Sequence, residues 1–304
     1  MLARKAQLER ARAHLERLAE KWEPVFRATG ASSGERLAEK WEPVFRTTGA
    51  SSGERVNAAP TAPLALVAGA LNEIRIEDWR ERPSALSFAL ALAGMRARAG
   101  MLAQESGAIV FLQLAHEARG EGALFARGLA TLGVDPARLV VAFARNEKQL
   151  LWALEEAARE KSVAAVIAEA PKTARLIDLT ATRRLALAAE ASGASPLLVR
   201  TMASPAPTAA FIRWRIESAP SLPPADDEKS PGSPRWRVFL ERCRAGARLC
   251  GGAPFIAEIK HDGRNVFLEE AAALPFPLPA LLGDAAPEAQ GRRAAREPGA
   301  ARAL

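Results

Sequence analysis

The stretch RLVVAFARNEKQLLWALEEAAREKSVAAVIAE, from Arg138 to Glu169, decides the fold class. Its first part, RLVVAFA, and its last part, VAAVIAE, are short apolar runs without polar alternation, as expected of strands buried on both faces. Between them lies NEKQLLWALEEAARE, an amphipathic helix pattern that begins behind the N-cap residue Asn146. A strand, a helix and a second strand of this kind predict two parallel strands joined by a crossover.

The same alternation continues on both sides of this stretch. Upstream, LNEIRI and AIVFLQL are predicted strands, and SALSFALALAGMRARAG is a predicted buried helix with Ser84 as its N-cap. EGALFARGLATLG is predicted to be one helix that ends at Gly133. Downstream, the helix LTATRRLALAAEASG closes at Gly193 and leads into the strand SPLLVRT. The sequence therefore predicts an α/β domain whose largely parallel sheet is covered by helices on both sides.

The pattern changes after this α/β unit. AAFIRWRIESA, PRWRVFLERCR, PFIAEIKHD and NVFLEE alternate with period two and are separated by turns, so they are predicted to be antiparallel strands. A polar, proline-rich loop, SAPSLPPADDEKSPGSP, joins the first two of them. The expected sheet is therefore mixed, with a parallel core extended by C-terminal antiparallel strands.

A near-perfect tandem duplication precedes the α/β unit. ERLAEKWEPVFRATGASSG and ERLAEKWEPVFRTTGASSG occupy residues 16–34 and 35–53 and differ only at Ala28 and Thr47. GASSG resembles part of a phosphate-binding loop, but its glycine spacing is one residue short and Glu35 or Glu54 stands where that loop requires lysine. Two copies are also too few for a solenoid. Each copy is predicted to form a short helix and a hinge.

The segment in which an α/β ATPase of this layout would carry its phosphate loop is RIEDWRERPS, directly after LNEI. It contains no glycine and no lysine, so a phosphate cradle is not expected. Arg75, Arg80 and Arg82 could touch an anion, although a solvated charged loop is the expected state. Glu169, at the end of the most apolar strand, is expected to face solvent.

The sequence predicts no catalytic residue, nucleotide site, metal or cofactor. Its three histidines lie in different segments without ligand spacing, and no serine stands in a nucleophile elbow. Two cysteines provide no disulfide framework, and neither a membrane span nor a signal peptide is recognised, so a cytoplasmic protein is expected. A formal net charge of +7 and a pI near 10.0 favour an acidic partner such as nucleic acid.

Two RWR triplets lie in the predicted antiparallel strands. Period two places Trp214 and Trp236 on one face, packed on the core, and their flanking arginines on the other. Those arginines form a candidate basic ladder for a partner protein or DNA, because arginine makes bidentate contacts with phosphate and carboxylate. A solvated outer face of the sheet remains the alternative. The candidate contact residues are Arg213, Arg215, Arg235 and Arg237.

Several blocks, in the same order, resemble one protein family. They are LNEI, LGVDPARLVVAFARNEKQLLWALEEAA, IDLTATRRLALAAEASGASPLLVR, IRWRIESAPS and PRWRVFLERCR, and together they cover roughly residues 64–268. The blocks resemble the ImuA family, damage-inducible mutagenesis proteins related to RecA and to SulA-type inhibitors of cell division. The resemblance implies a RecA-like fold and a role in the SOS response to DNA damage.

The resemblance also implies partners. They are an ImuB-like protein related to Y-family polymerases, an error-prone replicative-type polymerase and, as a further candidate, RecA, with a possible contact to DNA and none to membrane. The catalytic residues of RecA do not carry over, because lysine and threonine are absent after Ile74 and Glu117 is out of register. The expected function is that of a non-catalytic adaptor in translesion synthesis. Two alternatives stay open: a SulA-type cell-division inhibitor and a weak RecA-like ATPase.

The predicted organisation has five parts. A helical segment with the duplication is followed by a degenerate RecA-like core, a polar loop, the antiparallel strands and a basic disordered tail. Their boundaries are residues 1–57, 58–218, 219–234, 235–270 and 271–304.

Overall fold

The computed structural model of the chain describes residues 64–102, 107–121, 124–170, 175–201, 207–224, 227, 229–244, 253–262 and 266–271. The N-terminal duplication and the predicted tail after residue 271 lie outside these ranges, so their predicted structure stays a prediction. The division of the chain into five parts likewise stays a prediction.

Within these ranges, nine strands form one mixed sheet in the order β3-β2-β4-β5-β1-β6-β7-β8-β9. The strands are β1 (Asn72–Ile76), β2 (Ala108–Leu114), β3 (Leu139–Ala144), β4 (Val163–Ala170), β5 (Ser195–Thr201), β6 (Ile212–Ala219), β7 (Arg235–Cys243), β8 (Phe255–His261) and β9 (Val266–Ala271). All neighbours from β3 to β6 are parallel, whereas β6 to β9 pair antiparallel. The predicted fold class, a largely parallel α/β sheet extended by antiparallel strands, is confirmed.

One strand direction differs from the prediction. Strand β6 was expected to be antiparallel, but it runs parallel to β1, with Asn72 opposite Ile212, and only its other edge pairs antiparallel, with β7. Because it is parallel to β1, strand β6 begins with Ile212 at the end of the sheet at which the parallel strands begin. Strand β6 is therefore the last parallel strand and also the first strand of the C-terminal hairpins.

In the part of the chain that the structure describes, five α-helices connect or flank the strands. They are α1 (Arg82–Leu102), α2 (Ala115–Glu121), α3 (Ala126–Thr131), α4 (Glu147–Arg159) and α5 (Leu179–Ser192). The side chain of Asn146 accepts a hydrogen bond from the Gln149 amide at 3.0 Å, so it caps α4 as predicted. Gly193 ends α5 with a φ of 82°, as glycine does at a left-handed C-terminus.

The start of α1 and the helix predicted before Gly133 are corrected by the structure. Ser84 is not an N-cap, because a 3-10 turn, Trp79–Glu81, capped by the Asp78 side chain, leads directly into α1 at Arg82. The ring of Pro83 is tolerated there because the first turn of a helix needs no amide donor. Of the predicted helix EGALFARGLATLG, residues 121–133, the part Ala126–Thr131 forms the short helix α3, whereas α2 ends at Glu121, the first residue of that segment.

The sheet separates two hydrophobic cores. On one face α1 packs against alternate residues of the strands, including Phe111 of β2 and Trp214 of β6. On the other face α4 and α5 pack against the intervening residues, such as Leu112 and Val166. Successive side chains of a strand point to opposite faces, so apolar runs fill both cores at once.

The segment Trp79–Leu102 is long and apolar enough to cross a membrane by length and composition alone. Most of it is buried inside the protein, however, and Phe88 and Leu92 are fully enclosed. Packing in the protein's own core is a sufficient reason for its apolar composition.

Gly94 lies where α1 meets the turn at Gly133. A methyl group built on Gly94 would stand 2.7 Å from the Gly133 carbonyl oxygen, which belongs to the backbone and has little freedom to move. We expect Gly94→Ala to lower the free energy of unfolding by about 1–3 kcal/mol through overpacking. Urea denaturation monitored by circular dichroism measures this change.

The matched control is Gly128→Ala in α3, where the nearest atom to the new methyl group would be 3.7 Å away. Alanine is the better helix former, so this change should be neutral or add up to about 1 kcal/mol. Equal stability of the two variants would contradict the close approach of α1 to Gly133.

Candidate functional site

The carboxyl ends of the parallel strands are where α/β sheets of this kind bind ligands. Here that edge carries Glu169 near the end of β4, Gln113 near the end of β2 and Arg82 at the start of α1. The segment after β1, where a phosphate loop would stand, is instead the 3-10 turn capped by Asp78. The turn therefore places a carboxylate where a phosphate loop would offer backbone amides.

Arg82 and Glu169 form a buried ion pair at this edge. The Nη2 of Arg82 lies 2.6 Å from Oε2 of Glu169, and its Nε contacts the other carboxylate oxygen. Gln113 donates a further hydrogen bond to Oε2 at 3.2 Å. The Glu169 side chain is 3% exposed and that of Arg82 is 16% exposed. The guanidinium thus neutralises an acid that would otherwise be buried with its charge unpaired.

The expectation that Glu169 faces solvent was wrong, and so was the expectation that Arg75 and Arg82 are solvated, since their side chains are 7% and 16% exposed. The first turn of α1 lies over the end of β4, so the arginine reaches the carboxylate from above the sheet. A signal was present in the sequence, because an acid at the end of the most apolar strand requires a cationic partner. Arg80, by contrast, is solvated as expected, with a side chain that is 75% exposed.

Glu117 in α2 belongs to the same cluster. Its Oε2 is buried without a hydrogen-bond partner. Burial raises the pKa of the Glu117 carboxyl, and the negative charge of Glu169 raises it further, while His116 and Arg82 act in the opposite direction. Sequence reasoning placed Glu117 out of register for catalysis and missed that it lies within electrostatic reach of Glu169. Within the described ranges, no group of three or more histidines, cysteines or acids is arranged to hold a metal ion.

The second candidate surface is the face that carries the RWR arginines. Trp214 and Trp236 are buried in the α1 core, as predicted, and both lie against Phe88 with ring centroids 6.1 and 5.5 Å away. The four candidate arginines lie on the opposite face of β6 and β7. The structure thus places them on one side of the sheet, but in different surroundings.

Arg213 is buried in an ion pair with Glu73 of β1. Its Nη2 lies 3.0 Å from Oε2 of Glu73, and the same oxygen accepts a hydrogen bond from the Thr208 hydroxyl at 2.7 Å. Arg200 of β5 approaches the other oxygen of Glu73 at 3.3 Å. Arg213 and Arg200 together neutralise the enclosed Glu73 carboxylate, so the guanidinium of Arg213 is engaged inside the fold.

Arg215 lies in a network with Arg75 of β1. Arg75 binds Glu241 of β7 through two atoms at 3.1 and 2.5 Å, and these hydrogen bonds raise the pKa of Arg75. Arg215 contacts Glu217, lies 3.6 Å from Glu241 and stacks 3.4 Å above the ring of Phe239. The guanidinium of Arg215 and the ring of Phe239 therefore pack against each other on the outer side of the sheet.

Arg235 is paired with Glu258 of β8 at 3.1 Å, and its side chain is 4% exposed. Arg237 differs from the other three, because its side chain is 50% exposed. Its Nη1 lies 3.6 Å from Oε2 of Glu217. Alternating arginines and glutamates thus cover this face. Contact of the four arginines with a partner or DNA stays a prediction, and Arg237 is the member whose guanidinium is most accessible.

Removal of Arg82 tests the ion pair at the sheet edge. We expect Arg82→Ala to lower the free energy of unfolding by about 3–5 kcal/mol, because it leaves the Glu169 charge buried without its cation. Arg80→Ala, two residues earlier and exposed, should change it by no more than about 0.5 kcal/mol. Urea denaturation measures both changes. If the free energy of unfolding of Arg82→Ala falls no further than that of Arg80→Ala, the ion pair contributes nothing to stability.

The raised pKa of Glu117 gives a pH-dependent prediction. A carboxyl whose folded pKa exceeds its unfolded value destabilises the fold when it is ionised and has no such effect below both values. Glu117→Gln should therefore raise the midpoint of thermal unfolding at pH 7 to 8. The gain should shrink as the pH falls through the folded pKa, in a scan of Tm against pH. A gain that is independent of pH would point to altered packing instead.

Comparison with known proteins gives relatives for part of the chain. No family model matches it. It is 41% identical over 157 residues to two curated proteins named Protein ImuA, from Caulobacter vibrioides strain NA1000 / CB15N and from strain ATCC 19089 / CIP 103742 / CB 15. In both cases the match covers 48% of this chain and 60% of the relative's length. The matched part of the chain is thus similar to Protein ImuA, which confirms the resemblance predicted from its sequence blocks.

Proposed function

We propose that the protein is a non-catalytic accessory factor of SOS-induced mutagenic translesion DNA synthesis. The observation that carries this proposal is the 41% identity to Protein ImuA. In this role the chain is an adaptor that binds an ImuB-like protein and an error-prone replicative-type polymerase in the cytoplasm, with RecA and DNA as further candidate contacts.

The edge of the sheet supports the non-catalytic part of the proposal. Arg82, at the first turn of α1, already has a carboxylate partner in Glu169, and Gln113 donates to the same group. A triphosphate at this edge would have to compete with Glu169 for the guanidinium and would meet the Asp78 carboxylate. Both effects oppose the binding of an anion.

The outer face of β6 and β7 supports the adaptor part. Its ion pairs hold the backbone and side chains of neighbouring strands in fixed positions, while Arg237 offers an accessible guanidinium at their margin. A preformed surface of this kind binds a partner at a low cost in side-chain ordering. The net charge of +7 favours acidic partners.

The experiment compares two charge reversals in cells that lack the gene. Wild-type protein should restore damage-induced mutagenesis and capture the ImuB-like protein in a pull-down. Arg237→Glu should weaken that capture by about tenfold or more, since it repels an acidic partner face. Arg183→Glu is the matched control, because Arg183 is also exposed but lies on α5 rather than on the strands that carry the candidate arginines.

Three outcomes contradict the proposal. Mutagenesis that is unchanged by deletion would remove the role in translesion synthesis. Filamentation of cells on overexpression, without any effect on mutagenesis, would favour a SulA-type cell-division inhibitor. ATP hydrolysis above background by the purified protein, abolished by Glu169→Gln, would identify a RecA-like ATPase.

A further inference from the structure

The outer surface of α4 and α5 carries several large apolar side chains. Trp152 of α4 is 41% exposed, and three leucines of the α5 segment are between 47 and 59% exposed. They are Leu176, which precedes α5, and Leu179 and Leu187 within it. A group of exposed apolar side chains on one surface marks a contact with a further segment or protein.

Two contacts hold α4 and the α5 segment side by side. The carboxylate of Glu147, in the first turn of α4, accepts a hydrogen bond from the Leu176 amide at 2.5 Å. Eight residues further along both segments, the Glu155 carboxylate accepts a hydrogen bond from Arg184 at 2.6 Å. The equal spacing means that the two segments run in the same direction, and Trp152 lies between the two contacts. Trp152 and the three leucines therefore share one surface, the α4–α5 surface.

The N-terminal part of the chain contains apolar residues at the spacing of a helix. Leu8, Leu15, Leu18 and Trp22 are separated by seven, three and four residues, so a helix would carry them on one side. Such a helix would be about 22 Å long, close to the length of about 20 Å that the 13 residues of α4 give. An isolated helix of this size is marginally stable in water, so its apolar side requires a surface to pack on.

The chain enters the described fold beside the C-terminal ends of α4 and α5. The Gly69 amide donates a hydrogen bond to the Gly193 carbonyl at 3.3 Å, directly after α5. The Ser192 hydroxyl donates in turn to the Ala158 carbonyl of α4 at 2.6 Å. Residues 23–63 can span more than about 100 Å when extended, so the N-terminal stripe can reach the α4–α5 surface. A tethered segment also has a higher effective concentration there than a partner in solution.

We propose that residues 8–22 form a helix that packs with its apolar side on the α4–α5 surface of the same molecule. Trp152 is the central contact, because it is the one aromatic side chain among the four exposed residues of that surface. The N-terminal helix thereby adds a layer outside α4 and α5.

The first copy of the duplicated segment fits this role better than the second. The first copy continues the stripe that begins at Leu8, whereas the second follows GASSG and has only Leu37 and Trp41 before Pro43. Proline ends a helix, and a helix as short as this one is unstable by itself. The second copy therefore lengthens the connection between the N-terminal helix and the described fold.

Chemical cross-linking of the full chain locates the N-terminal segment. Lys21 lies next to Trp22, while Lys148 on α4 and Lys161 shortly after α4 are exposed. An amine-reactive cross-linker should join Lys21 to one of these two lysines. The yield with Lys260 of β8, whose side chain is 42% exposed, is the control. It should be at least about fivefold lower, because the reaction follows the local concentration of the two amines.

Two substitutions each remove one side of the contact. Trp152→Ala and Trp22→Ala should raise the rate of tryptic cleavage within residues 8–18 at least about fivefold, since cleavage follows the population of the released segment. Trp79→Ala, at a 63% exposed tryptophan of the 3-10 turn, and Trp41→Ala, the equivalent position in the second copy, are the controls. Both should leave that rate unchanged. Circular dichroism checks that every variant keeps the fold.

A cleavage rate that Trp152→Ala leaves unchanged would overturn the proposal. So would faster cleavage in Trp41→Ala instead of Trp22→Ala, which would assign the contact to the second copy of the repeat. In an equal mixture of isotope-labelled and unlabelled protein, the cross-links should join residues of one chain. Links that join a labelled chain to an unlabelled one would assign the surface to a second molecule and overturn the proposal as well.

The same variants separate this contact from the proposed function. If Trp152→Ala weakens the capture of an ImuB-like protein and leaves cleavage unchanged, the α4–α5 surface binds that partner and the intramolecular contact is ruled out. The role in translesion synthesis is decided separately, by the mutagenesis assay on the deletion strain.

Discussion

The packing of α1 against the sheet holds the two halves of the structure together. The helix lies over the parallel strands β4, β1 and β5 and reaches the antiparallel extension through Phe88, which contacts Trp214 and Trp236. The indole N–H of Trp236 donates to the Ser84 carbonyl at 2.9 Å and reaches the Ser87 hydroxyl at 3.1 Å. Large aromatic side chains in such positions contribute about 3–5 kcal/mol each. The sheet extension is thus part of the same core as the parallel strands.

On the face away from α1, the antiparallel extension is held by charge rather than by apolar contacts. Glu73 and Glu241 each bind arginines from neighbouring strands, and Glu258 binds Arg235. Buried charges are tolerated only when they are paired, so removal of one of these arginines would leave its acid enclosed and uncompensated. The same principle explains why the buried Glu169 at the edge of the sheet is paired with Arg82. One type of contact therefore organises both candidate surfaces.

Local sequence signals predicted the parts of the fold that depend on neighbours in the chain. The apolar runs of β2 and β4, the cap at Asn146 and the left-handed Gly193 are all determined within a few residues. The direction of β6 was not predictable in this way, because it depends on pairing with β1, a strand that is distant in sequence. The same applies to Glu169, whose partner Arg82 lies 87 residues away in sequence. The inward orientation of Trp214 and Trp236 followed from period two, but the acids that bind their flanking arginines are on other strands.

The position of β1 has a consequence for the order in which the chain folds. Among the described strands β1 comes first in sequence, yet its two neighbours are β5 and β6, which are among the later strands. By contrast, β2, β3 and β4 neighbour one another in the sheet and follow one another in the chain. During synthesis this three-strand unit is complete first, while the backbone groups of β1 lack strand partners until β5 and β6 have emerged. Late closure of a sheet around its own first strand is slow and exposes an unpaired edge to other chains. The strand order therefore keeps the edges of β1 open longer than those between β2, β3 and β4.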